Sequence, residues 1–388
     1  MCSSTLPGKV NSPLPGRSEP TYALIAGGGT GGHVNPAIAI ADALVQRGRV
    51  GESIHFVGSR RGLEAKLVPA AGYAITLLPG RGIKRKLTLG NISAVSGLMV
   101  GLARSFVLLL RLRPRIVVSV GGYAAAPAAF AAVVLRVPIV VAEANAVPGA
   151  VNRLVARVAK ASAVALPGTA LPRAVVTGNP VRPAIAALDR SPLARAEARR
   201  VLGLPEGRLI VGAFGGSLGA TTINRSVFEL AERWRDRHDV AIHHAIGRRD
   251  WADASLRPLD VEGSPLYYRA VEYEDRMDAL LAASDVVISR AGATTVAELA
   301  AVGLPSVLVP FPGATADHQT ANAKTLEAGG AAVAIADSAC DGAMLSNVLS
   351  PLLAQPQLLQ SMATAAQGFA QADAADSVAA LIEEHARP

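Results

Sequence analysis

The feature of this sequence most suggestive of chemistry is a glycine-rich stretch that ends in a histidine. Residues 27–33 read Gly-Gly-Gly-Thr-Gly-Gly-His and follow an apolar run at 22–26. Glycines let the backbone approach a ligand closely, and the N–H groups at the start of a helix attract a phosphate. We therefore predict a phosphate-binding loop whose helix is capped by Asn35, with Pro36 in its first turn. His33 can bind a diphosphate or a sugar hydroxyl, act as a base, or simply close the turn.

Two strand-to-helix turns in the second half of the chain have a similar character. Residues 214–220 read Phe-Gly-Gly-Ser-Leu-Gly-Ala, and the hydroxyl of Ser217 can donate to a phosphate. In residues 289–298 a strand ends and a helix begins, so the N–H groups of the first turn would face a diphosphate. These groups belong to Ala293, Thr294, Thr295 and Val296. Glu298, one turn further, can accept hydrogen bonds from both hydroxyls of a ribose. Alternatively, it only interacts favourably with the positive end of the helix dipole.

Further candidate site residues follow the other predicted strands. They include Gly122, Tyr123, Glu143 and Asn145 in the first half, Arg182 at a presumed hinge, and Gln319 and Asn322 in the second half. Gln319 and Asn322 share one face of a predicted helix and can bond sugar hydroxyls. Ligands of open α/β sheets bind beyond the carboxyl ends of the strands, so these residues can converge on one cleft.

The elements that must position these residues are short apolar runs separated by helical segments. The predicted strands are 22–26, 54–57, 116–120, 138–142 and 162–166, then 209–213, 240–244, 285–288, 305–309 and 332–335. Such alternation predicts parallel βαβ units, and a strand with a glycine-rich loop begins each half. The fold class is therefore α/β, with two Rossmann-like domains whose parallel sheets face a central cleft.

Length and composition agree with two domains. The chain has 388 residues, 51% of them hydrophobic, and two prolines near residue 180 resist both a helix and a central strand. We predict a disordered tail at 1–20, a first domain at 21–182, a second at 183–370, and a C-terminal helix at 371–388 that packs back on the first domain. The tail has no apolar run typical of a signal peptide. The two distant cysteines predict neither a disulfide framework nor zinc, and favour a reducing cytoplasm.

Charge is concentrated in one segment. Residues 80–115 contain eight Lys or Arg and no acid, against a net charge of +8 for the whole chain. The segment lacks the aromatic residues typical of single-strand nucleic-acid binding, so no nucleic acid is expected. Arg104 interrupts the apolar run at 88–112, which therefore predicts an amphipathic helix rather than a membrane span. Its basic residues Lys84, Arg85 and Lys86 and its apolar residues Met99, Leu102 and Phe106 form a candidate patch for anionic lipid. The alternative is an ordinary helix packed on the sheet.

The glycine spacing leaves one other enzyme class open. Gly27, Gly29 and Gly32 match the dinucleotide pattern, which is weak alone. The second strand leads into Arg60 and Arg61 rather than into the acid that NAD would require, so an NADP-dependent oxidoreductase is a minor alternative. No acid pair of the D-x-D type suggests a metal, and no cofactor is expected.

The motifs, taken in order, resemble the MurG family of glycosyltransferases. They are GGTGGH at 28–33, GGY at 121–123, GNPVR at 178–182, GGSLGA at 215–220, AGATTVAEL at 291–299 and DHQTANA at 317–323. The resemblance extends over about residues 22–385. It implies a GT-B fold and transfer of N-acetylglucosamine from UDP-N-acetylglucosamine to the C4 hydroxyl of undecaprenyl-diphosphate-linked N-acetylmuramoyl-pentapeptide, with inversion. A related enzyme with another acceptor, or a protein that binds without turnover, is the alternative.

The resemblance also implies roles for individual residues. His33 is the first candidate base and Glu143 the second, with Gly122 and Tyr123 on the acceptor side. The implied donor contacts are Thr30, Gly31, Gly32, Asn145, Arg182, Ser217, Glu298 and Gln319. The family implies a peripheral protein at the cytoplasmic face of the cell membrane, with anionic inner-leaflet lipid and cell-wall or division proteins as partners. This chain departs from many members at Ala142, Ala144 and His318, where His, Gln and Gln are common.

Overall fold

A computed structural model describes residues 21–29, 31–79, 89–216, 220–253, 263–371 and 373–388, without the side chains of 89–95. Five predicted site residues, Thr30, Lys84, Arg85, Lys86 and Ser217, lie outside the described residues. The described chain forms two parallel sheets of seven and six strands, each flanked by helices. The predicted α/β class with two Rossmann-like sheets is confirmed.

The first sheet has the strand order β3-β2-β1-β4-β5-β6-β7. Its strands are β1 Ala23–Gly27, β2 Ile54–Ser59, β3 Ala74–Leu78, β4 Ile116–Gly121, β5 Ile139–Glu143, β6 Ala161–Val164 and β7 Ala174–Val176. Its helices are α1 Gly31–Gln46, α2 Glu64–Ala70, α3 Leu89–Leu112, α4 Ala126–Val134 and α5 Ala150–Val155. The strand order reverses between β1 and β4, which creates a crevice beyond their carboxyl ends.

The second sheet has the strand order β10-β9-β8-β11-β12-β13. Its strands are β8 Leu209–Phe214, β9 Val240–Ala245, β10 Tyr267–Val271, β11 Val286–Ser289, β12 Ser306–Leu308 and β13 Ala332–Ala334. The helices around it are α6 Pro183–Ala186, α7 Pro192–Leu202, α8 Thr221–Arg233, α9 Arg248–Trp251, α10 Met277–Ala283, α11 Ala293–Val302, α12 His318–Ala328, α13 Gly342–Ala354 and α14 Pro356–Gln367. The order reverses again, between β8 and β11.

Each sheet is buried on both faces, as a parallel sheet covered by helices must be. Along β1, Leu24 and Ala26 pack in the cluster that contains α4, whereas Ala23 and Ile25 pack in the cluster that contains α1. This alternation follows from the two-residue period of a strand. Many of the covering residues are alanines, which explains how so few aromatic residues suffice for the core.

The last helix, α15 Ala374–His385, leaves the second sheet and packs beside α1 on the first. Val378, Ala379 and Ile382 are buried in the same cluster as Ile25. Arg47 and Glu383 form one of the ion pairs at the edge of this contact, 2.8 Å apart. The chain therefore passes twice between the sheets, near 177–183 and near 368–373.

Three strands were not predicted, namely β3, β7 and β10. They lie at the edges of their sheets, and their residues are largely half-buried or exposed. Edge strands lack the continuous apolar run on which the predictions depended. The first helix also begins earlier than predicted, at Gly31, so that Asn35 and Pro36 lie inside α1 and do not form its cap. The glycine-rich stretch itself supplies the first turn.

Helix α3 exposes one of the three apolar residues predicted for its lipid patch, Met99, and buries part of the other two. Leu102 and Phe106 are partly buried and pack against the first-sheet core, so they do not form the exposed apolar patch. The exposed apolar residues are Met99, Val100, Val107 and Leu110. Helical spacing did not separate Leu102 and Phe106, which face the core, from the exposed residues, because α3 is apolar on both sides. Over the described residues, no helix combines the length and apolarity needed to cross a membrane.

Candidate active site

The site begins where the loops after β1 and β4 touch. Gly121 and Gly122 have φ angles of +88° and +76°, a region that favours glycine. A Cβ on Gly122 would lie 2.5 Å from the carbonyl oxygen of Gly28. A side chain at this position would therefore push the two loops apart. The glycine-rich loop and the Gly-Gly-Tyr turn form one continuous surface at the carboxyl edge of the first sheet.

His33 lies in the first turn of α1, against this surface. A Cβ on Gly121 would be 3.4 Å from His33 Nε2, so the imidazole ring packs directly on that glycine. Burial lowers the pKa of His33, Glu143 opposes this by raising it, and His318 lowers it further. Because the net shift is downward, the imidazole is neutral at pH 7 and able to accept a proton. The second domain approaches this edge of the first sheet, since Asn322 on α12 bonds the 144–149 loop.

Glu143, at the end of β5, is almost fully buried, with 5% of its surface exposed. One oxygen accepts from the backbone N–H and the side-chain amide of Asn145, at 3.1 and 3.2 Å. The other accepts from the N–H of Gly149 and from Nδ2 of Asn152, both at 3.0 Å. These four hydrogen bonds hold the buried carboxylate in one position. The geometry gives Glu143 a role in holding the 144–149 loop and in setting the charge near His33.

Tyr123, on the acceptor side of the predicted site, is connected to a carboxylate that sequence reasoning did not single out. Its hydroxyl lies 2.9 Å from Ser59 Oγ, and Ser59 Oγ donates to Glu64 Oε1 at 3.0 Å. The other oxygen of Glu64 accepts from the N–H of Gly29 at 2.8 Å. Glu64 thus joins the glycine-rich loop to Tyr123. No local motif signals this, because the partners are far apart in the sequence.

The second domain contributes the start of α11. Gly292 precedes the helix and has no side chain that could cap it, so the N–H groups of Ala293, Thr294 and Thr295 are the ones expected to meet an anion. The prediction for Val296 was wrong, because its N–H already donates to Gly292 O at 2.9 Å within the helix. Glu298, on the same helix, accepts from Arg182 Nε at 2.8 Å. The two predicted donor contacts are therefore brought together and paired with each other. Arg182 stays nearly half exposed, whereas Glu298 is largely buried.

Gln319 and Asn322 share a helix but have different surroundings. Gln319 Oε1 accepts from the N–H of Phe311 at 2.9 Å, at the edge of the cleft. Asn322 is fully buried; its oxygen accepts from the N–H of Ala146 at 2.9 Å, and its nitrogen donates to Asn145 Oδ1 at 3.2 Å. The same nitrogen also donates to Ala291 O at 3.1 Å. The structure places Asn322 at the junction of the two domains instead of in an open sugar site.

The described residues contain no group of three or more His, Cys, Asp or Glu arranged to hold a metal ion. The chemically distinctive feature is instead the meeting of two sheet edges. The glycine-rich loop, His33 and Glu143 lie on one side, and α11 and Gln319 lie on the other. The anion-binding features of both edges suit a substrate pair that carries diphosphates.

Comparison with known proteins gives a consistent result over almost the whole chain. Profiles of the glycosyltransferase family 28 N-terminal and C-terminal domains match residues 23–164 and 210–378. A protein of Desulforudis audaxviator named UDP-N-acetylglucosamine--N-acetylmuramyl-(pentapeptide) pyrophosphoryl-undecaprenol N-acetylglucosamine transferase is 38% identical, over 93% of this chain and 97% of that protein. A protein of the same name from Clavibacter michiganensis is 40% identical, over 94% and 96%.

Solved structures agree with these relatives. The crystal structure of Acinetobacter baumannii MurG has a TM-score of 0.74 and 30% identity, and the match covers 94% of this chain and 100% of that one. The glycosyltransferase of kitacinnamycin has a TM-score of 0.69 at 15% identity, over 94% and 99% of the two chains, which shows a shared fold alone.

Proposed function

We propose, since this chain belongs to the MurG family of glycosyltransferases, that it transfers N-acetylglucosamine from UDP-N-acetylglucosamine to an undecaprenyl-diphosphate-linked N-acetylmuramoyl-pentapeptide. The observation that carries the proposal is the apposition of two anion-binding sheet edges with a neutral His33 beside them. With the diphosphate of UDP at the edge of the second sheet and the lipid diphosphate at the edge of the first, the donor sugar and the acceptor hydroxyl lie in the same cleft. Membership of a glycosyltransferase family argues against the NADP-dependent oxidoreductase that the glycine pattern left open.

The donor is assigned to the second domain. The N–H groups of Ala293, Thr294 and Thr295 bind the diphosphate of UDP. Glu298 accepts from the ribose hydroxyls, and Gln319 bonds the sugar. In this proposal Arg182 leaves Glu298 for the diphosphate, since a guanidinium binds phosphate through paired donors. Further donor contacts are assigned to Thr30, Gly31, Gly32, Asn145 and Ser217.

The reaction is a single displacement at the anomeric carbon. His33 accepts the proton of the C4 hydroxyl of the muramoyl sugar as its oxygen forms a bond to the anomeric carbon. The bond from that carbon to the β-phosphate oxygen breaks, and its electron pair leaves with UDP. Arg182 and the α11 N–H groups stabilise the charge that develops on the leaving phosphate. Attack from the face opposite to UDP inverts the anomeric configuration.

The acceptor is assigned to the first domain. Gly122 and Tyr123 line its approach, and the glycine-rich loop lies next to them. Glu143 is proposed to tune His33 and to hold the adjoining loop, because its two oxygens are already occupied by four donors. This assignment makes His33, and not Glu143, the base.

We place the protein at the cytoplasmic face of the cell membrane as a peripheral protein. Support comes from the exposed apolar residues of α3, with Arg104 and Arg111 exposed beside them. Lys84, Arg85 and Lys86 are proposed to add attraction for anionic inner-leaflet lipid. Proteins of cell-wall synthesis or division remain expected partners.

Vesicle sedimentation tests this location. Val107→Ser together with Leu110→Ser removes exposed apolar surface, so binding to vesicles with anionic lipid should fall by about 100-fold or more, since each aliphatic side chain buried in the lipid contributes about 1.5–3 kcal/mol. Leu193→Ser, at a still more exposed position on α7, is the control and should bind as the wild type does. Unchanged binding in the α3 variant would contradict this membrane face.

The proposed reaction is tested by incubating the enzyme with radiolabelled UDP-N-acetylglucosamine and a short-chain lipid acceptor, with and without chelator. Label in the lipid product supports donor and acceptor together, and resistance to chelator supports a metal-free site. Binding of the donor without transfer to this acceptor would contradict the proposed acceptor.

A further inference from the structure

One buried carboxylate at the acceptor side has no role in the reaction described so far. Glu64 is the first residue of α2, and only 1% of its surface is exposed. It accepts from the N–H of Gly29 at 2.8 Å, from the N–H of Ser59 at 2.7 Å and from Ser59 Oγ at 3.0 Å. A buried charge is costly unless hydrogen-bonded, so these donors fix the carboxylate in one position.

The surrounding backbone is shaped to admit this carboxylate. A Cβ on Gly28, Gly58 or Gly62 would lie 2.3, 2.3 or 2.0 Å from an atom of the Glu64 side chain. Any larger residue at these three positions would displace it. Two of the three glycines lie outside the phosphate-loop motif, and their closeness to Glu64 accounts for them. The carboxylate therefore serves as a common anchor for the first glycine-rich loop and for the end of β2.

The hydrogen bonds also fix the direction of the Tyr123 hydroxyl. A carboxylate can only accept, so Ser59 gives its single proton to Glu64. Tyr123, 2.9 Å from the same Ser59 oxygen, must then donate its own proton to Ser59. Toward any further partner, the Tyr123 oxygen can then only accept a hydrogen bond. The Tyr123 ring also contacts Gly29, since a Cβ there would be 3.6 Å from Cε1.

We propose that Glu64 is a positioning residue for the acceptor: it holds the loop at Gly29 and, through Ser59, keeps Tyr123 as a hydrogen-bond acceptor. This inference rests on the proposed function. It predicts a larger effect on the acceptor than on the donor, because Tyr123 lies on the acceptor side, whereas Glu298 and the start of α11, the main proposed anchors of the donor, belong to the other domain. A loss of Glu64 should therefore weaken use of the lipid acceptor more than use of UDP-N-acetylglucosamine.

The test is steady-state kinetics of Glu64→Gln with each substrate varied. The amide preserves shape but presents an NH₂ group to one of the present donors. We expect kcat/KM for the lipid acceptor to fall about tenfold or more, as for a slightly misplaced reacting group, with the donor KM changed less than about twofold. Tyr123→Phe added to Glu64→Gln should lower activity by less than about twofold further, because both act through the same contact.

Two further variants separate positioning from general stability. Ser59→Ala keeps Glu64 and the N–H bonds but cuts the connection to Tyr123, and should give the same acceptor-selective loss even if Glu64→Gln folds poorly. Glu229→Gln removes a similar carboxylate, bonded to the N–H of Gly342 at 2.8 Å in the second domain, and should leave both KM values unchanged.

Three outcomes would count against the inference. The first is an equal rise in both KM values in Glu64→Gln. The second is a double variant in which the activity losses of Glu64→Gln and Tyr123→Phe multiply in full. The third is a Glu64→Gln enzyme that is as active as the wild type. A wild-type enzyme that binds the donor but does not transfer to the lipid would instead overturn the proposed function, and this inference with it.

Discussion

At the scale of single residues, His33 experiences opposing electrostatic influences. Burial holds its pKa below the ordinary value of 6.5, Glu143 raises it and His318 lowers it. A base must be deprotonated to work, so activity is lost as the pH falls through this pKa. We expect the acid limb of the profile of kcat/KM against pH to have its midpoint below 6.5.

Two substitutions should move that midpoint in opposite directions. Glu143→Gln removes the negative charge that stabilises the imidazolium, so the midpoint should move to lower pH. His318→Gln removes the positive charge that disfavours the imidazolium, so the midpoint should move to higher pH. A limb that keeps its position in both variants, or that persists in His33→Gln, would show that another group is the base.

The pair Arg182 and Glu298 gives a second prediction at this scale. Arg182→Ala removes the proposed donor to the leaving phosphate and should lower kcat by about 100-fold or more, the usual loss for one preorganised charge-stabilising group. Glu298→Ala should mainly raise the donor KM, because the ribose loses its acceptor. The control is Arg200→Ala, which breaks an exposed ion pair with Glu197. If Arg182→Ala kept near-normal turnover, its assignment to the leaving phosphate would be wrong.

Residue types could be predicted from the sequence far better than residue contacts. His33 and Glu143 were singled out from their places after strands, and the structure brings them close. The four donors around Glu143 were not foreseen, because Gly149 and Asn152 belong to a later turn of the chain. Glu64 was missed because its neighbours Arg60, Arg61 and Lys66 give the segment the composition of a surface loop.

At the scale of elements, the central strands were predictable and the edges were not. A strand such as β4, buried along its whole length, requires an unbroken apolar run that is visible in the sequence. The edge strands β3, β7 and β10 have no such requirement, since one of their sides faces loops or water. The same reasoning explains α3, whose two apolar sides made its core-facing stripe indistinguishable from its exposed one.

The C-terminal helix α15 gives a prediction for this scale. Ile382 is fully buried between α15 and the first sheet. Ile382→Ala should lower the free energy of unfolding by about 2–4 kcal/mol, through lost burial and a residual cavity. Leu193→Ala, at an exposed position of α7, should change it by less than about 0.5 kcal/mol. Denaturant unfolding monitored by circular dichroism measures both, and equal stabilities would mean that α15 does not anchor the first domain.

At the scale of the whole molecule, the two-sheet architecture followed from the tandem pattern of strands and glycine-rich loops. How the halves meet did not follow, because contacts across the junction depend on three-dimensional position alone. Asn322 shows the difference. Helical spacing placed it beside Gln319 as a sugar contact, whereas its burial and its bonds to Asn145 and Ala146 make it a bridge between the domains.

This bridge leads to a prediction about domain closure. Asn322→Ala removes both bonds across the junction and leaves the N–H of the half-buried Ala146 without its partner, at a cost of about 1–3 kcal/mol. Closure of the cleft around the donor should weaken, so the donor KM should rise. Small-angle scattering should show a larger radius of gyration in the presence of UDP than for the wild type.

A second substitution at the same position sharpens this prediction. Asn322→Asp can still accept from Ala146, but it cannot donate to Asn145 or to Ala291, whose oxygens it would face at 3.2 and 3.1 Å. Repulsion should make it at least as harmful as Asn322→Ala at pH 7, although it is nearly isosteric. Asn347→Ala, at an exposed position of α13, is the control. An Asn322→Asp enzyme with wild-type donor KM and scattering would show that the domains close without this bridge.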